Sequence, residues 1–182
     1  RMFSPGLRQR ARLHFVDGRQ FARRRPSSQD ATAMDLDTIV AEIEALRAAL
    51  GLERVIVLGH SNHGPMAAAY AARHPARVSR LVIVGAVPRR TSTAVDPAAY
   101  LDATASPERK AAARQGIEEQ RAILASDLSA EEKFLKGYAA QRAVRWYDFT
   151  FDQMPLWEGV TLDIPLLERF AVVVQDALDT AI

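Results

Sequence analysis

The six residues GHSNHG at positions 59–64 place a serine where acyl-transfer chemistry is possible. The apolar run RVIVLGH (54–60) ends just before Ser61 and an alanine-rich segment follows it, which predicts a sharp turn from strand to helix. The start of a helix directs free backbone N–H groups toward an anion. We therefore expect Ser61 to act as a nucleophile and the N–H of Asn62 to stabilise an oxyanion. In the alternative interpretation, Ser61 only caps the helix in an ordinary turn.

A serine nucleophile needs a proton acceptor, and the histidines of this chain are badly placed for that role. They are four in number, with none after position 74: His14, His60, His63 and His74. A base must come within roughly 2.6–3.2 Å of the hydroxyl. His63 is the nearest candidate, although its side chain should leave from the first helical turn. His63 also stands where such a turn usually has a second glycine. Gly64, one residue later, could partly meet the need for a residue without a side chain.

Composition restricts the classes of function. The 182 residues are 48% hydrophobic and 25% charged, without an apolar run of bilayer length and without cysteine. Residues 1–25 carry eight arginines and one acid, Asp17, which we interpret as solvated charges beside a strand, not a nucleic-acid arm. His60 and His63 could approach one metal ion, but no carboxylate neighbours them. We expect a cytoplasmic protein with no cofactor, no metal, no nucleic acid and no membrane partner.

The first half of the chain has an α/β pattern. Three apolar runs predict parallel strands, at 12–17, 54–60 and 80–86. Two helices are predicted before and after the second strand, at 35–50 and 65–73. Strands that alternate with helices in this way are typical of a parallel sheet.

The second half of the chain has a helical pattern. A connector rich in Thr, Ser, Asp and Pro is followed by three predicted helices, at 107–126, 129–148 and 164–180. The segment WYDFTFDQMPLW (146–157) groups five aromatic residues. We expect Trp146, Tyr147 and Trp157 to line an apolar substrate pocket. Alternatively, these rings form the core of the helical region.

Residues 45–88 resemble the nucleophile region of α/β-hydrolases, especially proline iminopeptidase-like serine hydrolases. The resemblance rests on LGLERV before the strand, LGHS at the turn and AARHPARVSRLV after the following helix. It implies a partial α/β-hydrolase core over 1–88 and a helical cap-like region over 89–182. It also implies that Ser61 is the nucleophile and that the Asn62 N–H is one oxyanion donor.

The resemblance further implies that the catalytic triad is incomplete in this chain. In the family the order is serine, acid, histidine, and the last two follow the cap. We therefore expect a serine hydrolase that acts on a small-molecule ester, amide or peptide through Ser61, with acid and base missing here. The alternative is a non-catalytic, hydrolase-derived module that binds a small ligand or a protein partner.

The resemblance also implies that this chain lacks one strand of the family's sheet. In the family order the third strand lies between the fourth and the fifth, and no run in this sequence corresponds to it. Open strand edges and uncovered apolar faces favour association. We therefore expect a homo-oligomer, a strand-swapped dimer, or a part of a longer protein.

Overall fold

The computed structural model describes residues 4–21, 33–86 and 96–179. Along these ranges the chain forms, in order, α1 (Pro5–Arg10), α2 (Leu36–Ala49), β1 (Val55–His60), α3 (Gly64–Arg73), β2 (Val78–Val84), α4 (Pro97–Thr104), α5 (Pro107–Ala125), α6 (Ala130–Ala140), α7 (Arg142–Arg145) and α8 (Ile164–Asp179). No helix within these ranges is both long enough and apolar enough to cross a bilayer.

The two strands flank α3 and form one parallel sheet. Their register runs from Ile56 opposite Arg80 to His60 opposite Val84. This β–α–β unit confirms the α/β class predicted from the sequence, and each strand begins and ends within two residues of its predicted position. Because the strands are parallel, their carboxyl ends meet at one edge of the sheet, beside Ser61.

The strand predicted at 12–17 does not form. These residues have no regular secondary structure, and Phe15 and Val16 are exposed. A strand needs a neighbour to receive its backbone hydrogen bonds, and the sheet in the described ranges contains only β1 and β2. The short apolar run at 12–17 was therefore a misleading signal here.

The predicted connector and the second of the three predicted helices also differ from the structure. The connector contains α4, which begins at an Asp96 cap followed by Pro97. Aspartate before proline is a common helix start, so the signal was present in the sequence. The helix predicted at 129–148 is broken at Gln141 into α6 and α7, and both pack against α5.

Helix α8 packs on the helix that follows Ser61. Its buried face meets α3 and the segment before α2 in one apolar cluster, formed by Met34, Met66, Leu166, Phe170, Val173, Val174 and Ala177. The last described helix is thus joined to the α/β unit. The domain boundary at 88/89 stays a prediction.

A polar network holds α2 against α3. The fully buried Tyr70 donates its hydroxyl hydrogen to Oε2 of Glu44 at 2.7 Å, and Arg47 donates to both oxygens of the same carboxylate. Arg47 also donates to the carbonyl of Leu52, in the turn that leads into β1. The hydrogen bonds from Arg47 and Tyr70 lower the pKa of Glu44 to about 2, so the carboxylate stays ionised in this network.

One face of the sheet is exposed. Helices α2 and α3 cover the face that carries Val55 and Val57. On the opposite face Ile56 is 59% exposed, and Leu58 and Val82, which lie opposite each other in the register, are exposed as well. The oligomer predicted from the sequence stays a prediction, and this apolar face is a surface on which it could form.

We predict that the wild-type chain sediments above monomer mass at micromolar concentration. The double variant Leu58→Lys/Val82→Lys should shift it to the monomer, because two charges on this face oppose burial. The matched control is Ile117→Lys on α5, which is also an exposed aliphatic residue and should sediment like the wild type. A monodisperse wild-type monomer would contradict the prediction.

Candidate active site

Ser61 has an unusual backbone conformation. Its φ is +52°, and in the described parts of the chain it is the one residue other than glycine with a positive φ. This left-handed conformation costs an L-amino acid roughly 1–2 kcal/mol. Ser61 follows the last residue of β1 and begins a 3₁₀ turn, Ser61–His63, that continues into α3. The structure thus confirms the sharp strand-to-helix turn, and such strain is often found at functional sites.

Two glycines allow the backbone to turn this sharply. A Cβ on Gly59 would lie 2.4 Å from the carbonyl oxygen of His63 and 2.8 Å from Cβ of Ala67. A Cβ on Gly64 would lie 2.6 Å from Cβ of Ala86. The steric need for a second glycine therefore falls at position 64 and not at position 63.

Position 63 has an ordinary helical backbone and tolerates a side chain. The φ and ψ of His63 are −87° and −5°, and its imidazole packs against Phe170 of α8 with ring centroids 5.1 Å apart. Loss of water around the ring lowers the pKa of His63, while a hydrogen bond with the His60 backbone acts in the opposite direction. The side chain is thus directed to α8. Phe170 was not singled out in the sequence, because no local pattern connects it with position 63.

The hydroxyl of Ser61 has no base beside it in the described ranges. No hydrogen bond joins it to a histidine or a carboxylate there. His60 lies beside Gly85, where an added Cβ would be 3.7 Å from its Nε2, and His74 packs on Tyr70 with ring centroids 5.0 Å apart. In the described ranges, the Ser61 hydroxyl therefore lies at the turn without a histidine and carboxylate assembled against it.

Asn62 is placed as an oxyanion donor would be. It directly follows Ser61 in the 3₁₀ turn, and both residues are exposed. The first N–H groups of a helix have no acceptor within the helix, and the N–H of Asn62 lies in this first turn. In the described ranges, no group of three or more potential ligands is arranged to hold a metal ion.

The three predicted substrate-binding aromatic residues do not lie together. Trp146 and Trp157 line a cavity of about 670 Å³, whereas Tyr147 is 99% exposed and outside it. Ser61 is not part of the cavity wall either. We call this space the aromatic cavity and define it by its rings and its two acids: Phe21, Tyr138, Trp146, Trp157, Asp17 and Glu158.

We predict that Ser61→Gly raises the free energy of unfolding by about 0.5–1 kcal/mol, because glycine adopts a positive φ without strain. The matched control is Asn62→Gly, at the next position, where φ is not positive and glycine should lower stability by a similar amount. Urea unfolding of both variants measures the difference. Equal destabilisation by the two substitutions would show that Ser61 is not strained.

Comparison with known proteins agrees with this geometry. Residues 2–128 match the family described as the alpha/beta hydrolase fold. The chain is 30% identical to the AB hydrolase superfamily protein YclE of Bacillus subtilis (strain 168), over 93% of this chain and 59% of that protein. It is 44% identical to a non-heme chloroperoxidase of Streptomyces lividans, over 34% of this chain and 23% of that protein.

A shorter match is to the 1-acylglycerol-3-phosphate O-acyltransferase ABHD5 of Sus scrofa, 53% identical over 25% of this chain and 13% of that protein. The chain thus spans at most about three fifths of these relatives. No solved structure matches it. The match over residues 2–128, with the strand, turn and helix around Ser61, shows that this chain belongs to the α/β-hydrolase fold family.

Proposed function

We propose that this chain carries the nucleophile of a serine hydrolase. The Ser61 oxygen attacks the carbonyl carbon of an ester, amide or peptide, and the resulting oxyanion accepts a hydrogen bond from the Asn62 N–H. The positive φ of Ser61 at the carboxyl edge of a parallel sheet is the observation that supports this proposal most strongly. Backbone strain of this kind clusters at functional sites.

We propose that the proton of Ser61 goes to a group outside the described residues. The His63 imidazole has a lowered pKa and is therefore neutral near pH 7, but it packs on Phe170. We therefore propose that the base, its supporting acid and the second oxyanion donor come from residues beyond those described here or from another chain. Without them, an oxyanion donor and substrate binding give only a small part of a full triad's rate.

The names of the relatives support acyl chemistry without selecting a substrate. One relative is named as an acyltransferase, and acyl transfer through a serine nucleophile shares its acyl-serine intermediate with serine hydrolysis. Other relatives are named as non-heme peroxidases. The proline iminopeptidase-like subtype, with an aminopeptidase activity, stays a prediction.

A second candidate function is a non-catalytic module that binds a small ligand or a protein partner. The absence of a base at the Ser61 hydroxyl in the described ranges favours it. The same turn would then be an inherited feature of the fold without an acyl-transfer role.

We predict that a fluorophosphonate probe labels the wild-type chain slowly, because Ser61 is exposed and has an oxyanion donor but no base. Ser61→Ala should abolish the labelling, as measured by intact mass. His63→Phe should leave the rate within about threefold, because phenylalanine keeps the ring contact with Phe170 and His63 is not the proton acceptor.

Two other results are decisive. No labelling of the wild type, in a chain that unfolds cooperatively, would favour the non-catalytic module. A loss of labelling in His63→Phe, with unchanged stability, would show instead that His63 acts as the base.

A further inference from the structure

The aromatic cavity has the composition of a ligand site, and it is separate from the Ser61 turn. Three large rings, Tyr138, Trp146 and Trp157, and two carboxylates, Asp17 and Glu158, surround a space of about 670 Å³. Cavities that hold small ligands have volumes of roughly 300–1,000 Å³, with mostly apolar walls and a few polar groups.

Both indole rings are held in place by contacts behind the wall. Nε1–H of Trp146 donates to Oε1 of the buried Gln153, and its ring packs 5.1 Å from that of Phe151. Trp157 meets Phe134 and Tyr138 edge to face, with centroids 5.7 and 5.4 Å away. These rings are therefore positioned before any ligand binds, which lowers the entropic cost of binding.

A tight turn positions the residue that carries the first carboxylate, Glu158, directly after Trp157. Glu158 has φ −59° and ψ 125°, Gly159 has φ +73°, and the N–H of Val160 donates to the carbonyl of Trp157 at 3.1 Å. These values define a type II turn, which requires glycine at its third position. The turn thus fixes the backbone of Glu158 at the cavity wall, and its side chain is exposed.

The second carboxylate comes from the amino-terminal segment. Asp17 is the one acid among the arginine-rich residues 1–25. The N–H of Asp163 donates to the carbonyl of Gln20 at 3.0 Å, and Arg19 forms an ion pair with Glu42. The residues that closely follow the predicted strand, Arg19 and Gln20, are therefore held to α2 and to the start of α8, and Asp17 just before them lines the cavity.

The rings around the cavity already bind a cation from the protein itself. The guanidinium carbon of Arg145 lies 4.1 Å from the centroid of Tyr138. The described wall of the cavity carries these two carboxylates and no basic side chain, and a second guanidinium, that of Arg109, donates to the carbonyl of Trp146 at 2.9 Å. We propose that the aromatic cavity binds an organic cation, an amine or quaternary ammonium with a small apolar body, between the two acids and the indole rings.

Intrinsic fluorescence tests this directly, because the chain contains only two tryptophans and both line the cavity. The probes are choline and its neutral isostere 3,3-dimethyl-1-butanol, at constant ionic strength. Choline should change the emission saturably, with half-saturation at least about tenfold below that of the alcohol. Glu158→Gln should weaken choline binding by at least about fivefold and retain the type II turn.

Two controls accompany the titration. Glu131→Gln removes an exposed acid on α6, outside the cavity, and should bind choline like the wild type. Ser61→Ala should also bind normally, because this inference does not rest on the proposed hydrolase function. Equal binding of choline and the alcohol, or no saturable change up to about 100 mM choline, would overturn the proposal.

Discussion

The contact between the end of β1 and the start of α3 leaves no room for a side chain at Gly59. The carbonyl oxygen of His63 and Cβ of Ala67 lie where a Cβ would be. The chain must therefore reverse within very few residues, and Ser61 takes the left-handed conformation that makes this possible. Gly64 has a similar role toward the end of β2, where Ala86 approaches its backbone. The display of the Ser61 hydroxyl thus follows from backbone packing.

The backbone conformation of this turn explains why a histidine is acceptable at position 63. Its backbone is helical, so the side chain can leave the turn and pack on Phe170. This contact also joins the last described helix to the turn that carries the serine. A histidine in such a turn can therefore contribute packing, and proximity in sequence to a serine does not by itself identify a catalytic base.

Local patterns in the sequence predicted the elements around the serine well. Apolar runs located β1 and β2, the three- and four-residue spacing located α2, and the glycine–serine spacing located the turn. The prediction of a strand at 12–17 was wrong because a strand depends on a neighbouring strand, which local sequence does not specify. Two features join distant parts of the chain. His63 packs on Phe170, and Asp17 and Glu158 line the same cavity. Both features follow from tertiary packing, which periodicity does not encode.

The most direct test of this account is the stability of Gly59→Ala relative to Gly6→Ala, where an added Cβ would meet nothing within 4 Å. Urea unfolding should show that Gly59→Ala loses at least about 2 kcal/mol, because the new methyl group overlaps backbone and side-chain atoms. Gly6→Ala should be as stable as the wild type or more stable by up to about 1 kcal/mol, because Gly6 lies in the exposed helix α1, where alanine is the better helix former. A Gly59→Ala chain as stable as the wild type would contradict the claim that this close approach shapes the serine turn.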